Sequence, residues 1–241
     1  MKQPTAVELL AVWEQGAAQH PIDRALTVLS MAYPEDSFPQ LAGMSIGQRD
    51  AGLLAVHESL FGPSLPCYAQ CPACSAPLQF TLNVRDFPPA VKNDESLQIV
   101  SGDLRLRFRA PNSHDLADAA GRLDAASARA LLLERCVLEA EQDGRAVPVS
   151  EIPASAIEEM SSVLSKTETH ADMSLTPECV GCGQRWELTL DIGSFLWAEI
   201  NLLAKRHLSE VHALAWAYGW RESDILAMSR VRRQFYLDRL Q

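Results

Sequence analysis

The chain has 241 residues, 47% of them hydrophobic and 22% charged, with 31 acidic against 21 basic side chains and a formal net charge of −10. That length and apolar content suit one large domain or two small ones with a sizeable core, while the acidic balance is the wrong sign for a general phosphate-binding surface. No apolar run approaches a membrane span and Met1-Lys2-Gln3-Pro4 is no signal peptide, so the expectation is a soluble, cytoplasmic protein.

In chain order, Pro4-Thr5 opens a helical pattern with Val7, Leu10, Ala11 and Trp13 on one face, ending near Gly16. Pro21 opens a second, through Ile22, Ala25, Leu26, Val28, Leu29 and Met31, which Pro34 stops. Gly43-Met44-Ser45-Ile46-Gly47 matches the G-x-S-x-G spacing of hydrolase nucleophile elbows, but no buried strand precedes it. Ser45 with Gln48 reads instead as a capping box for a helix carrying Leu53, Leu54, Val56 and Leu60, closed by Gly62-Pro63.

Next comes Cys71-Pro-Ala-Cys74, and 108 positions later Cys179-Val-Gly-Cys182. Each pair runs into apolar residues at every second position: Leu78, Phe80, Leu82 and Val84 in one copy, Trp186, Leu188, Leu190 and Ile192 in the other. A thiolate pair on a tight knuckle leading into a half-buried strand is half of a zinc site, because zinc takes four tetrahedral ligands and one C-x-x-C turn supplies two. The two halves together predict a split zinc ribbon holding one structural Zn2+ through Cys71, Cys74, Cys179 and Cys182. Four thiolates leave no position open for water or substrate. Redox C-x-x-C pairs normally open a helix, which neither copy does here. Cys67, four residues before Cys71, and Cys136, within an apolar helical pattern, are left outside the ligand set.

Between the knuckles, Leu97–Val100 and Leu104–Arg109 flank Ser101-Gly102-Asp103 and predict a hairpin, with Arg105, Arg107 and Arg109 along one solvated face. Ser113 is expected to cap a short helix. A longer helix is expected from Asp124 or Ala125 through Val137 and Leu138, ending before Asp143-Gly144, and another from Pro153 with Ile157, Met160, Val163 and Leu164. After the second knuckle, Leu196 to Tyr218 predicts a helix of about six turns with Gly219 at its C-cap. Glu222 to Met228 and Ser229 to Leu240 give two short helices. His207 and His212 lie five apart, off a common face, and read as ordinary helix residues. The region from 196 onward has 7 basic and 5 acidic residues, a net of +2, so the first 195 carry −12.

The expected fold is therefore α+β, mainly helical, with the split ribbon and a small antiparallel β part. Its regions are an N-terminal helical part (1–66), two ribbon halves (67–87 and 179–195), an inserted hairpin and helices (88–178) and C-terminal helices (196–241). No credible nucleophile, acid/base pair or phosphate loop is present, so no catalysis and no small-molecule substrate are expected. Trp216, Tyr218, Trp220, Arg232, Arg233 and Tyr236 are residue types that anchor protein contacts, and mark a candidate partner surface. A helix, the turn at Tyr218-Gly219-Trp220 and a further helix with arginines also fit a helix-turn-helix nucleic-acid binder, a reading the net charge disfavours.

The run from Phe195-Leu-Trp197-Ala-Glu199, through Glu210-Val-His212 and Tyr218-Gly219-Trp220, to Arg232-Arg233 and Tyr236-Leu237 resembles the C-terminal end of the baseplate hub assembly proteins of T-even phages, which are also found in phage-derived contractile injection systems. The resemblance extends to Gly47-Gln-Arg49-Asp50, Leu60-Phe61-Gly62-Pro63, both knuckles and Leu133-Glu134-Arg135-Cys136-Val137. Ser75 departs from it, since such knuckles often carry glycine there. The resemblance implies an assembly or structural role, with baseplate hub, spike or other tail proteins as partners.

Overall fold

The computed structural model describes residues 4–88 and 96–240; the reading of Met1-Lys2-Gln3 and the part of the insert at 89–95 lie outside the described residues. Thr5 caps α1 (Ala6–Gly16) in a reciprocal capping box with Glu8. Pro21 starts α2 (Pro21–Leu29), and Ser37 with Gln40 boxes the short α3 (Phe38–Gly43). Ser45 and Gln48 form the expected box at the head of α4 (Ile46–Phe61), so the G-x-S-x-G spacing belongs to a helix start. The strand β1 (Ser64–Gln70) then pairs antiparallel with β2 (Pro77–Asn83), the first knuckle lying at their tip.

The insert carries β3 (Leu97–Ser101), β4 (Leu104–Phe108), α5 (Ser113–Ala120), α6 (Ala125–Cys136), β5 (Val137–Gln142), β6 (Arg145–Ala146) and α7 (Ala154–Thr167). Its four strands form one antiparallel sheet in the order β3-β4-β5-β6. The helix expected to continue through Leu138 stops at Cys136, and Val137–Gln142 is a strand against β4. The cause is non-local: Arg105 and Arg107 of β4 lie opposite Glu141 and Glu139, and pairs of opposite charge across a ladder stabilise that pairing. Asp143 and Gly144, both at positive φ, make the tight turn into β6. The cap of α5 is Asn112, one residue before the expected Ser113.

After α7 come β7 (Ser174–Leu175) and β8 (Leu188–Thr189), then α8 (Ile192–Tyr218), α9 (Glu222–Ala227) and α10 (Arg230–Leu237). At 27 residues α8 begins one turn earlier than expected, capped by Asp191, and ends at Gly219, whose left-handed conformation (φ 67°) suits a residue without Cβ. It packs on α1, α2, α4, α9 and α10 and is common to two cores. The first gathers Leu26, Leu29, Leu53, Leu65, Ile192, Leu196 and Ile200; the second joins the two ends of the chain through Leu9, Leu10, Ala204, Leu214 and Ile225. A third, inside the insert, sets Ile99, Leu106 and Phe108 of the sheet against Ala156 and Met160 of α7.

One carboxylate latches the insert to the helical body. Glu168, at the end of α7 and buried, accepts the Ser45 hydroxyl at 2.6 Å and the Gly47 N–H at 3.1 Å, at the N-terminus of α4, where the helix dipole favours an anion. Nearby, the Ile46 N–H donates to the Pro111 carbonyl at 3.0 Å. A Cβ on Gly47 would stand 2.4 Å from Glu168 Oε2. Gly47→Ala should therefore push the carboxylate out and leave buried polar groups unpaired, costing about 1–3 kcal/mol in urea unfolding. Glu168→Gln, which keeps the shape, should cost less than Gly47→Ala.

Candidate metal centre

The two knuckles are the same local structure built twice. In the first, the Cys71 N–H donates to the Ala76 carbonyl (3.0 Å) and the Ser75 N–H to the Cys71 carbonyl (2.8 Å). In the second, 108 positions on, the Cys179 N–H donates to Gln184 (2.9 Å) and the Gly183 N–H to Cys179 (2.8 Å). The residue after each second cysteine is left-handed, Ser75 at φ 58° and Gly183 at φ 73°. The flanking registers coincide as well: Gln70↔Pro77, Cys67↔Phe80 and Pro66↔Thr81 recur as Glu178↔Arg185, Leu175↔Leu188 and Ser174↔Thr189. Even the exits correspond, for Asn83 caps a single 3-10 turn at Val84–Asp86 and Asp191 caps α8.

The hairpins meet tip to tip, and all four sulfurs lie within 4.8 Å of one another. Cys71 Sγ is 3.6 Å from Cys182 Sγ, and Cys74 Sγ 3.6 Å from Cys179 Sγ. A tetrahedral ion with metal–sulfur bonds of about 2.3 Å has sulfur–sulfur edges of about 3.8 Å, so the geometry fits four-thiolate coordination. Cys71 and Cys179 are buried while Cys74 and Cys182 face outward. The Gly181 N–H points at Cys179 Sγ from 3.4 Å.

The electrostatics call for a cation. Burial pushes the Cys71 thiol up, but the N–H groups of Cys74 and Ala73 and the sulfurs of Cys182 and Cys74 outweigh it and bring it down to about 7. At Cys182 the Gln184 N–H pulls the other way from the neighbouring sulfurs of Cys74, Cys71 and Cys179, which prevail and push the thiol up to about 12. The Cys71 thiolate forms readily, and the thiols of Cys74 and Cys182 beside it are pushed up. Four thiolates can coexist only around positive charge. Cys67 lies outside this cluster, its Sγ 3.5 Å from the Leu65 carbonyl oxygen, and Cys136 is buried at the end of α6, where burial pushes its thiol up to about 11.

The candidate partner residues fall into two groups. Trp216 is 86% exposed on α8, and Tyr218, half-buried Trp220 and Tyr236 form a run of ring contacts: Tyr218 stacks on Trp220 at 4.6 Å, and Trp220 meets Tyr236 edge-on at 4.8 Å. Arg232 is exposed. Arg233 is placed otherwise than the sequence suggested. It is 4% exposed and donates to Glu210 Oε2 (3.0 Å) and to the Met228 carbonyl (2.7 Å), tying α10 to α8. Burial would push the Glu210 carboxyl up, but Arg233 and Arg206 more than offset it and hold it below the ordinary carboxylate range. His207 lies against the same group, its Nδ1 3.6 Å from Glu210 Oε2. The Arg206–Glu210 spacing of four was visible in the sequence, whereas Arg233 reaches Glu210 across 23 residues and left no local signal. Val231 and Phe235, apolar positions of the last helix that lie outside the candidate partner set, are 82% and 53% exposed.

Fold and centre together define an α+β scaffold in which two hairpins bring four cysteines into a cluster that could hold a metal ion. The family model described as T4 bacteriophage base plate protein matches residues 8–196, from α1 through both knuckles and the insert to the first turns of α8. The chain belongs to that family, and its role is that of a phage baseplate structural or assembly protein. No curated protein and no solved structure matches the chain. No helix among the described residues is long and apolar enough to cross a membrane.

Two expectations test the centre. Cys71→Ser or Cys182→Ser should abolish metal retention and collapse the thermal transition, since a structural metal contributes on the order of 10 kcal/mol or more, while Cys67→Ala and Cys136→Ala should keep full metal content by elemental analysis. Ser75→Gly should raise stability by about 1 kcal/mol, because it removes a Cβ from a left-handed residue, with metal content unchanged.

Proposed function

We propose that this chain is a non-enzymatic baseplate hub assembly protein of a contractile tail or injection system, stapled by one structural Zn2+ and holding another hub, spike or tail protein through its C-terminal helices. The observation that carries the reading is the family match spanning both knuckles. Zinc is the ion the donor set favours, since four soft thiolates at tetrahedral spacing suit it and leave no open position for chemistry. The resemblance of the C-terminal run to hub assembly proteins supports the finer assignment, as do the exposed Trp216 and the ring cluster at the end of α8.

The zinc-ribbon, helix-turn-helix nucleic-acid reading loses support at two points. Arg233 is inside the protein, bonded to Glu210, while Arg107 of β4 pairs with Glu139 and Arg109, just after the strand, with Asp115. Cations already neutralised by carboxylates release few counterions from a phosphate backbone.

Removing residues 220–241 would be a poor test, because Ile225 is fully buried against the second core and Glu210 would lose Arg233. Disrupting the gene in a strain that makes the contractile particle should instead leave no assembled baseplates by electron microscopy. The intact chain should restore them and Cys71→Ser should not. Normal particles in the absence of the protein would overturn the assembly role, and a DNA mobility shift that weakens steeply with salt would favour the nucleic-acid reading.

A further inference from the structure

The solvent face of α10 has a definite chemistry. Arg233, Tyr236 and Leu237 turn inward or pack partly, which leaves Val231 and Phe235, four apart on one ridge, standing in water. Around them are Arg230, Arg232 and Arg239, all exposed, and among the described residues none of the three forms an ion pair. Arg239 instead lies over the Phe235 ring, its Cζ 4.7 Å from the centroid. The nearby acid, Asp238, accepts a hydrogen bond from Gln234 at 2.7 Å. Beneath this face Glu210 offsets only one of the charges of Arg206 and Arg233. The surface is thus an apolar ridge in a cationic field on a chain that is acidic elsewhere.

This ridge also connects to the rings beneath it. Phe235 contacts Tyr236 (5.5 Å), Tyr236 contacts Trp220, and Trp220 stacks on Tyr218, so the rings form one connected run from the end of α8 to the exposed side of α10. Preset side chains lose little freedom when a partner covers them, which is what makes such positions binding anchors.

Resting on the assembly reading above, we propose that the Val231–Phe235 ridge of α10 docks an amphipathic helix of another tail protein, one whose apolar stripe is edged by Asp and Glu. Leucine-type side chains of the partner pack across the ridge, and its carboxylates meet Arg230, Arg232 and Arg239, which fixes register and speeds encounter.

The test uses the full, metal-loaded chain and two labelled amphipathic helical peptides of about 20 residues with the same leucine stripe, one edged by Glu and one by Lys. By fluorescence anisotropy the Glu-edged peptide should bind at least about tenfold more tightly than the Lys-edged one. Phe235→Ala should weaken that binding about tenfold or more at unchanged metal content and melting temperature. The double variant Arg232→Glu, Arg239→Glu should invert the preference between the peptides. Equal affinity for the two peptides, or none for either, would overturn the proposal. So would a wild-type dimer that Phe235→Ala converts to monomer, which makes a second copy the occupant, or displacement of the peptide by single-stranded DNA. The two readings fail separately: if Phe235→Ala blocks particle assembly while the peptides bind alike, the assembly role survives and the acidic partner does not, and if particles assemble without the protein while the peptides are discriminated, the converse holds.

Discussion

Four thiolates within 4.8 Å of one another repel strongly unless a cation sits among them, and here they come from two turns 108 positions apart. With a metal ion held there, everything between the knuckles becomes a closed loop. In a chain-entropy picture, fastening a loop of that size withdraws roughly 5 kcal/mol of freedom from the unfolded chain, which is comparable to the whole stability of many domains. The insert, whose own sheet and α7 form a separate core, hangs inside that loop and touches the helical body through Glu168, Pro111 and α5. The loop's far end matters as much: the hairpin carrying Cys179 and Cys182 runs straight into Asp191, the cap of α8. Fixing the knuckle fixes where α8 starts, and α8 is shared by the two cores of the helical body.

The near-identity of the two halves separates what a knuckle dictates from what its context decides. Strand register, the left-handed residue and the Asn or Asp cap recur position for position. Past the cap they diverge. The first exit makes a single 3-10 turn and meets Phe87-Pro88, and the residue before a proline is disfavoured from helix. The second exit meets no proline, and Leu196, Ile200, Ala204, Val211 and Leu214 repeat on one buried face. One local unit thus serves as a hairpin stop in one place and as the launch of a 27-residue helix in the other.

Features set by neighbours in sequence were legible. Each C-x-x-C pair, the Ser45 capping box and the Gly219 stop depend on residues within about a turn of one another, and the length class of α8 on the unbroken repeat of its apolar face. What escaped depends on distant partners. Val137 and Leu138 carry no residue that breaks a helix, and only the demand of β4 for a neighbour, with Glu139 and Glu141 opposite its arginines, makes them strand. Arg233 reads as a surface arginine until Glu210 is seen beneath it. The second ribbon strand alternates as well as the first, yet its ladder with β7 is two residues long, because Pro177 and the start of α8 limit it on either side.

At about 1.5 Å per residue, α8 is roughly 40 Å long, and its two ends have different tasks. The second knuckle hairpin feeds one end, and the ring run of Tyr218, Trp220 and Tyr236 sits at the other, braced by Arg233 on Glu210 about two turns before the helix stops. Interactions so far apart with no shared partner act nearly independently. A partner seated on α10 therefore works against a strut anchored elsewhere and leaves the knuckles undisturbed, so a change at one end of α8 leaves the other in place.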